Sequence, residues 1–116
     1  MKMLHDYIMV ATKNVDNLRI SLGDFIDDFR REKNISALAD EVNEPDPVNQ
    51  LFVATAHQLC IEMDLNPPQW ICKPVILKEP YFLSQFASFR FLALRDSPYA
   101  FKIRNIFVNE NFLKRA

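Results

Sequence analysis

Apolar residues near the start of the chain recur at three- and four-residue steps, which is the spacing of one helix face. Charged residues fill the positions between them, so the stretch from Asn14 to Glu32 is predicted to form an amphipathic helix. The apolar segment 6–12 is predicted as an earlier helix or a continuation of the same one. Gly23 lies within the pattern at a cost of about 1 kcal/mol relative to alanine, a position suited to a close helix contact. The stripe comprises Val15, Leu18, Leu22, Phe25, Ile26 and Phe29.

A second long helix is predicted after the break at residues 44–47. Asp46 can accept hydrogen bonds from the free amides of a helix start, and Pro47 suits the first helical position. Before the break, Asn34 and Ser36 precede a short apolar run that permits a short capped helix within residues 33–43. The apolar stripe of the second long helix comprises Val48, Leu51, Phe52, Thr55, Leu59 and Met63.

Prolines divide the second half of the chain into short elements. Residues 66–68 have the cap-and-proline pattern of a helix start and predict a short helical turn that carries Trp70 and ends at Pro74. Residues 75–77 are predicted as an extended linker, 84–94 as a helix, 99–104 as a short helix capped by Asp96 or Ser97 before Pro98, and 106–108 as a β-prone run. The whole pattern predicts an all-α (mainly α), compact single-domain bundle over residues 1–116, with a loop-rich C-terminal half.

Composition narrows the functional classes. The chain of 116 residues has one glycine, which argues against glycine-rich phosphate loops and small β-barrels. Its net charge of −1 provides no global attraction to nucleic acid or anionic membrane. His5, Asp6 and Lys13 interrupt any N-terminal signal peptide, and no later run approaches the roughly 20 apolar residues of a membrane span. We therefore expect a cytoplasmic protein whose two cysteines are reduced.

The stretch from Glu79 to Val108 holds six of the ten phenylalanines and the main concentration of basic residues. Aromatic and arginine side chains are favoured at protein-binding hot spots, and the same mixture can grip single-stranded nucleic acid. We expect a protein-binding surface, with nucleic-acid binding as the alternative. The residues expected to close the core are Phe86, Phe89, Leu92, Phe101 and Phe107, and those expected to remain outside are Arg90, Arg95, Lys102 and Arg104. The predicted partner-binding residues are Trp70, Tyr81, Arg90, Arg95, Tyr99, Lys102 and Arg104.

Residues 65–116 carry the sequences PPQW, EPYF, LALRDSPYAFKIRNIFV and LKRA. In these the chain resembles an uncharacterised bacterial domain whose members read EPWF and then LRALALVESPAAFRRRNIFV; Tyr81 stands where that domain usually has tryptophan. The domain often follows a helix-turn-helix reader in short regulators encoded beside nucleotidyltransferase-like toxins. The resemblance implies an antitoxin-like or regulator-associated interaction module, with a neighbouring toxin as a possible partner.

Two clusters are candidates for other chemistry. His57 and Cys60 are three residues apart on a predicted helix, so they share a face and form a potential zinc-binding or nucleophile–base pair. Two ligands do not make a structural zinc site, and a half-buried histidine beside a core cysteine is the preferred interpretation. Asp24, Asp27 and Asp28 could hold magnesium, but a solvated helix face explains them better. The sequence therefore predicts no enzyme, no cofactor and no metal site.

Overall fold

A computed structural model describes residues 1–83, 87–109 and 112–113, and over these residues the fold is mainly α-helical, as predicted. Two short strands are the extended elements in this part of the chain. In chain order the elements are α1 (Leu4–Lys13), a 3-10 turn (Val15–Asn17), α2 (Leu18–Glu32), a 3-10 turn (Ile35–Leu38), α3 (Pro47–Glu62), β1 (Tyr81–Phe82), α4 (Ala87–Asp96), α5 (Tyr99–Lys102) and β2 (Ile106–Phe107).

The first two helices form a packed pair. Asn14 separates them because its backbone is extended and its side-chain Oδ1 accepts a 3.0 Å hydrogen bond from the Asp16 amide. The region 6–32 is therefore two helices, and α2 begins four residues later than the pattern predicts. Tyr7 joins the pair: its hydroxyl donates to Asp28 at 2.6 Å, and its carbonyl accepts from the Ser21 hydroxyl at 2.6 Å. Asp28, a member of the acidic cluster, is thus held by a structural hydrogen bond from Tyr7.

Helix α3 is the central element of the fold. The sequence predicts one apolar stripe, but the helix is buried on almost all sides from Asn49 to Cys60, because α1, α2 and α5 all pack against it. Two of its buried polar side chains are hydrogen-bonded: Asn49 donates to Glu44 at 2.9 Å and Thr55 to the Leu51 carbonyl at 2.8 Å. Asp46 occupies the predicted N-cap position, although its side chain makes no capping bond.

The prolines at 67 and 68 introduce turns instead of the predicted helical turn. Successive amides of Ile71, Cys72 and Lys73 bond to carbonyls three residues back at 3.0–3.3 Å. Trp70 fixes this segment to the N-terminal half because its indole N–H donates to the Leu38 carbonyl at 2.9 Å. The tryptophan therefore serves as a structural anchor between the two halves of the chain.

The segment after Pro74 is extended, as predicted, and runs beside the residues that follow α5. The Leu77 amide donates to the Arg104 carbonyl at 3.1 Å, and farther on β1 pairs in parallel with β2 in the register Tyr81–Ile106 and Phe82–Phe107. The β-prone run at 106–108 thus contributes a strand, whereas its partner β1 was not predicted.

The core is continuous through the described residues. Phe25 is surrounded by the rings of Tyr7, Phe29 and Phe52 at centroid distances of 5.3, 5.6 and 6.4 Å. The Cα radius of gyration of 13.2 Å agrees with the value of about 13 Å for one compact domain of this length. In the part of the chain that the structure describes, no helix is both long and apolar enough to cross a bilayer. Additional buried members of this core are Leu4, Leu22, Ile26, Leu38, Leu51, Leu59, Ile71, Phe101, Ile106 and Val108.

The predicted C-terminal core is confirmed only in part. Phe101 is fully buried and Phe107 is half-buried, stacked on Phe82 at 5.2 Å. Leu92 was expected in the core, but it is 42% exposed. Phe86 lies outside the described residues, and so does the side chain of Phe89.

Candidate functional site

Helix α4 and the residue after it are joined to the rest of the fold through small side chains. Among the side chains that the structure describes here, Ala93 and Ser97, four residues apart, are buried. The Ser97 hydroxyl lies 2.5 Å from the Ala93 carbonyl oxygen and accepts a 2.9 Å hydrogen bond from the Val108 amide, so it ties the helix to the segment after β2. Ser97 therefore does not cap α5, whose N-cap position is Pro98. The neighbouring side chains of Leu92, Leu94 and Arg95 are exposed.

Leu92 and Leu94 project from α4 with 42% and 50% of their surface exposed. They flank the buried Ala93, and residues two apart on a helix do not share a face. Leu92 was expected in the core. The small residues Ala93 and Ser97, at the four-residue spacing of a packed helix face, are the sequence signal that argues against this expectation.

Basic side chains border these leucines. Arg95 donates two hydrogen bonds to the Asp96 carboxylate, from Nε at 2.8 Å and from Nη2 at 3.0 Å. These bonds lower the pKa of the Asp96 carboxyl. Lys102, on α5, donates from Nζ to the Arg95 carbonyl at 2.7 Å. The exposed residues of the two helices are here called the α4–α5 surface, which comprises Arg90, Leu92, Leu94, Arg95, Tyr99 and Lys102.

Tyr99 adds an aromatic side chain to the α4–α5 surface. It is 62% exposed, and its ring meets His57 edge-on with a centroid distance of 6.2 Å. The start of α5 is held on α3 because Gln58 Oε1 accepts a 3.2 Å hydrogen bond from the Ala100 amide. The exposed ring is therefore mounted on a helix that the core fixes in place.

Arg90 and Tyr81 line a second feature, a groove of about 780 Å³ along β1. The Arg90 guanidinium carbon lies 5.2 Å above the Phe82 ring centroid, a cation–π geometry. Tyr81 is half-buried beside it, and burial raises the pKa of its hydroxyl. The structure therefore places Arg90, Arg95, Tyr99 and Lys102 on the outside and brings Tyr81 next to Arg90, whereas Trp70 is engaged with Leu38 as described above.

The prediction that Arg104 remains on the surface is wrong, because its side chain is completely buried. Arg104 Nη1 donates to the Ala100 carbonyl at 2.9 Å and to His57 Nδ1 at 3.0 Å, and Nη2 donates to the Ile71 carbonyl at 2.7 Å. Burial lowers its pKa to about 10, so the guanidinium is still charged at neutral pH. Arg104 thus links α3, α5 and the turn at Ile71 from inside the fold.

Arg104 determines the tautomer of His57 and contributes to its low pKa. A guanidinium has only donors, so Nδ1 of His57 must be the acceptor and the ring proton sits on Nε2. Burial, and then the charge of Arg104, lower the pKa of His57 to about 4, so the ring is neutral at pH 7. Its Nδ1 lone pair is consequently occupied by a structural hydrogen bond.

Cys60 is fully buried one turn along α3, and burial raises the pKa of its thiol to about 11. A protonated thiol is a poor nucleophile and a poor metal ligand. Among residues 1–83, 87–109 and 112–113, no group of three or more His, Cys, Asp or Glu side chains is arranged to hold a metal ion. The geometry of His57 and Cys60 therefore favours core packing over the zinc or nucleophile hypothesis.

Comparison of the chain with protein-family models, with curated proteins and with solved structures finds no match in any of the three. The functional argument consequently depends on the α4–α5 surface itself.

Proposed function

We propose that this chain is a cytoplasmic, non-enzymatic protein-interaction module, antitoxin-like or regulator-associated, and that it binds a protein partner through the α4–α5 surface. The observation that carries the proposal is the exposure of Leu92, Leu94 and Tyr99 on the same two helices as the exposed basic residues Arg95 and Lys102. Apolar and aromatic side chains surrounded by a polar rim are the usual anatomy of a protein interface. The resemblance of residues 65–116 to a regulator-associated bacterial domain supports the same conclusion.

The charge distribution indicates the chemistry of the partner. Residues 79–116 contain six basic and three acidic residues, whereas residues 1–46 contain six basic and ten acidic residues. Opposite potentials across an interface speed association and reject wrong partners. The partner is therefore a protein that presents acidic groups around an apolar patch, and its affinity falls moderately as salt rises.

Co-purification from the native host tests this function. The double variant Leu92→Ser/Leu94→Ser removes the apolar centre of the surface, and Ile20→Ser is the matched control because Ile20 is 65% exposed on α2. We expect the double variant to bind the recovered protein at least about 10-fold more weakly, since a central apolar contact contributes about 1.4 kcal/mol or more. The control variant should bind as the wild type does.

Two results would overturn the proposal. Recovery of the chain alone at native expression and low salt would show that it has no stable protein partner. Equal binding by the double variant and by Ile20→Ser would place any partner on another surface. Recovery of nuclease-sensitive material whose binding falls steeply with salt would instead identify a nucleic-acid-binding regulator, in which the exposed Tyr99 ring stacks on bases.

A further inference from the structure

Two buried polar atoms have no hydrogen-bond partner within the described residues, namely Oε1 of Gln50 and Nε of Arg104. Both residues are fully buried. A buried polar group left without a partner destabilises a fold by about 1–3 kcal/mol, and more when the group is charged. One atom is an acceptor and the other a charged donor, so a single group with both capacities could satisfy the pair.

The hydrogen bonds around each atom fix its role. Gln50 Nε2 donates to the Glu44 carbonyl at 2.9 Å, which leaves Oε1 as the free acceptor of that amide. Arg104 uses Nη1 and Nη2 on His57 and on the carbonyls of Ala100 and Ile71, so Nε is the guanidinium nitrogen without a partner among the described residues. Exchanging the amide ends of Gln50 would break the bond to Glu44 and is therefore unfavourable.

Gln50 and Arg104 also line one small cavity of about 40 Å³, together with residues of the loop before α3 and of the segment 70–75. Trp70 and Val53 form part of its wall. A water molecule needs a cavity of at least about 10–15 Å³ measured with a water-sized probe, and it occupies about 30 Å³ in the liquid. The cavity is thus large enough for water and too small for an organic ligand.

A simple anion does not fit both unpartnered atoms. A halide would neutralise Arg104, but it would also face the carbonyl oxygen of Gln50, which cannot donate a hydrogen bond. Water can accept from Nε and donate to Oε1 at the same time.

We propose that this cavity binds an ordered water molecule that accepts a hydrogen bond from Arg104 Nε and donates one to Gln50 Oε1. This water joins the central helix to the segment after α5. It also completes the hydrogen bonding of a buried cation that has no carboxylate among its bonded partners. The site is independent of the α4–α5 surface, so it holds whether or not the proposed partner exists.

An atomic-resolution crystal structure of the full chain tests the proposal directly. We expect an electron-density peak within about 2.7–3.2 Å of both Arg104 Nε and Gln50 Oε1. An empty cavity, a halide peak, or a protein atom bonded to either Nε or Oε1 would overturn the assignment.

Solution NMR gives a second measurement on the wild-type chain and two variants. A water cross-peak to the Arg104 Nε–H resonance is expected in the wild type. Gln50→Met should remove the cross-peak, because the methionine thioether is only a weak acceptor, while Gln69→Met should keep it, because Gln69 is exposed. If Gln50→Met does not fold, the wild-type spectrum and the crystal structure still decide, and a wild-type Nε–H signal without a water cross-peak would contradict the proposal.

Discussion

Acidification should weaken this fold through His57. In the folded state the pKa of His57 is lowered from 6.5 to about 4, first by burial and then by the adjacent Arg104 charge. Above pH 6.5 His57 is neutral in both states, and its contribution to the free energy of unfolding is constant. Below pH 6.5 the unfolded chain binds a proton that the folded chain rejects until about pH 4. Stability is therefore lost as the pH falls through that window.

The size of the effect follows from the two pKa values. Each pH unit corresponds to about 1.4 kcal/mol, so the difference between 6.5 and about 4 amounts to about 3 kcal/mol in total. Between pH 6.5 and pH 5, where most carboxylates are still ionised, about 2 kcal/mol of this should be lost. His57 is only 8% exposed, so little of the effect is screened by solvent.

Urea unfolding at pH 7, 6 and 5, followed by the fluorescence of the single tryptophan, Trp70, measures this loss. His57→Gln keeps an acceptor for Arg104 but cannot be protonated, so its stability should vary less with pH than that of the wild type. His5→Gln is the matched control, since His5 lies on the surface of α1 near Asp6 and Asp40. The stability of His57→Gln should therefore vary less with pH than that of this control.

The reasoning would be refuted if His57→Gln and the wild type lost the same free energy between pH 6.5 and pH 5. It would also fail if His5→Gln, and not His57→Gln, removed the pH dependence. Either result would mean that folded His57 accepts a proton as easily as it does in the unfolded chain.

Three further substitutions test the contacts of the C-terminal half by the same urea assay. Arg104→Met should cost about 3 kcal/mol or more because it leaves buried carbonyls without donors, whereas Arg95→Met, on the surface, should change stability by less than about 1 kcal/mol. Trp70→Phe should cost about 1 kcal/mol because the Leu38 carbonyl loses its donor, with unfolding followed by circular dichroism. Asn105→Ala should cost about 2 kcal/mol for two reasons. Asn105 has a left-handed backbone (φ 64°), and its side-chain amide donates a 3.0 Å hydrogen bond to the Leu77 carbonyl, in the segment before β1.

Each of these predictions has a contradicting result. Equal costs for Arg104→Met and Arg95→Met would mean that the guanidinium of Arg104 is solvated. An unchanged midpoint for Trp70→Phe would mean that the indole N–H bonds to water instead. Asn105→Ala has Asn43→Ala as its control, because Asn43 is an exposed loop asparagine, and equal costs for the two would remove any special role for the left-handed position.

The N-terminal half could be predicted from sequence because its signals are local. Helical periodicity fixes α2, and the Asp46–Pro47 pair fixes the start of α3. The missed feature there is the complete burial of α3, since a helix surrounded by α1, α2 and α5 needs more than one buried face. Its buried Asn49 and Gln50 were indistinguishable in sequence from surface residues, because their partners lie in the loop before the helix.

The C-terminal half was harder to predict because its contacts are distant in sequence. Arg104 resembles its basic neighbours in the sequence, yet it bonds to Ile71 and His57, which are 33 and 47 residues away. No local pattern distinguishes an arginine that pairs with such distant groups from one that faces solvent. Arg95, Tyr99 and Lys102 are exposed as expected, and whether they bind a partner remains a prediction for the co-purification experiment.

The parallel pairing of β1 with β2 also bears on the order in which the chain folds. Helices α1, α2 and α3 can associate as soon as they are synthesised, because most of their contacts are with one another. The segment from Trp70 to Phe82 cannot complete its contacts until residues 104–107 have left the ribosome, since these residues supply the paired strand and the buried guanidinium. Such non-local contacts slow folding and leave apolar surface uncovered meanwhile. The C-terminal half is therefore the part of a newly made chain that is most exposed to proteases and chaperones.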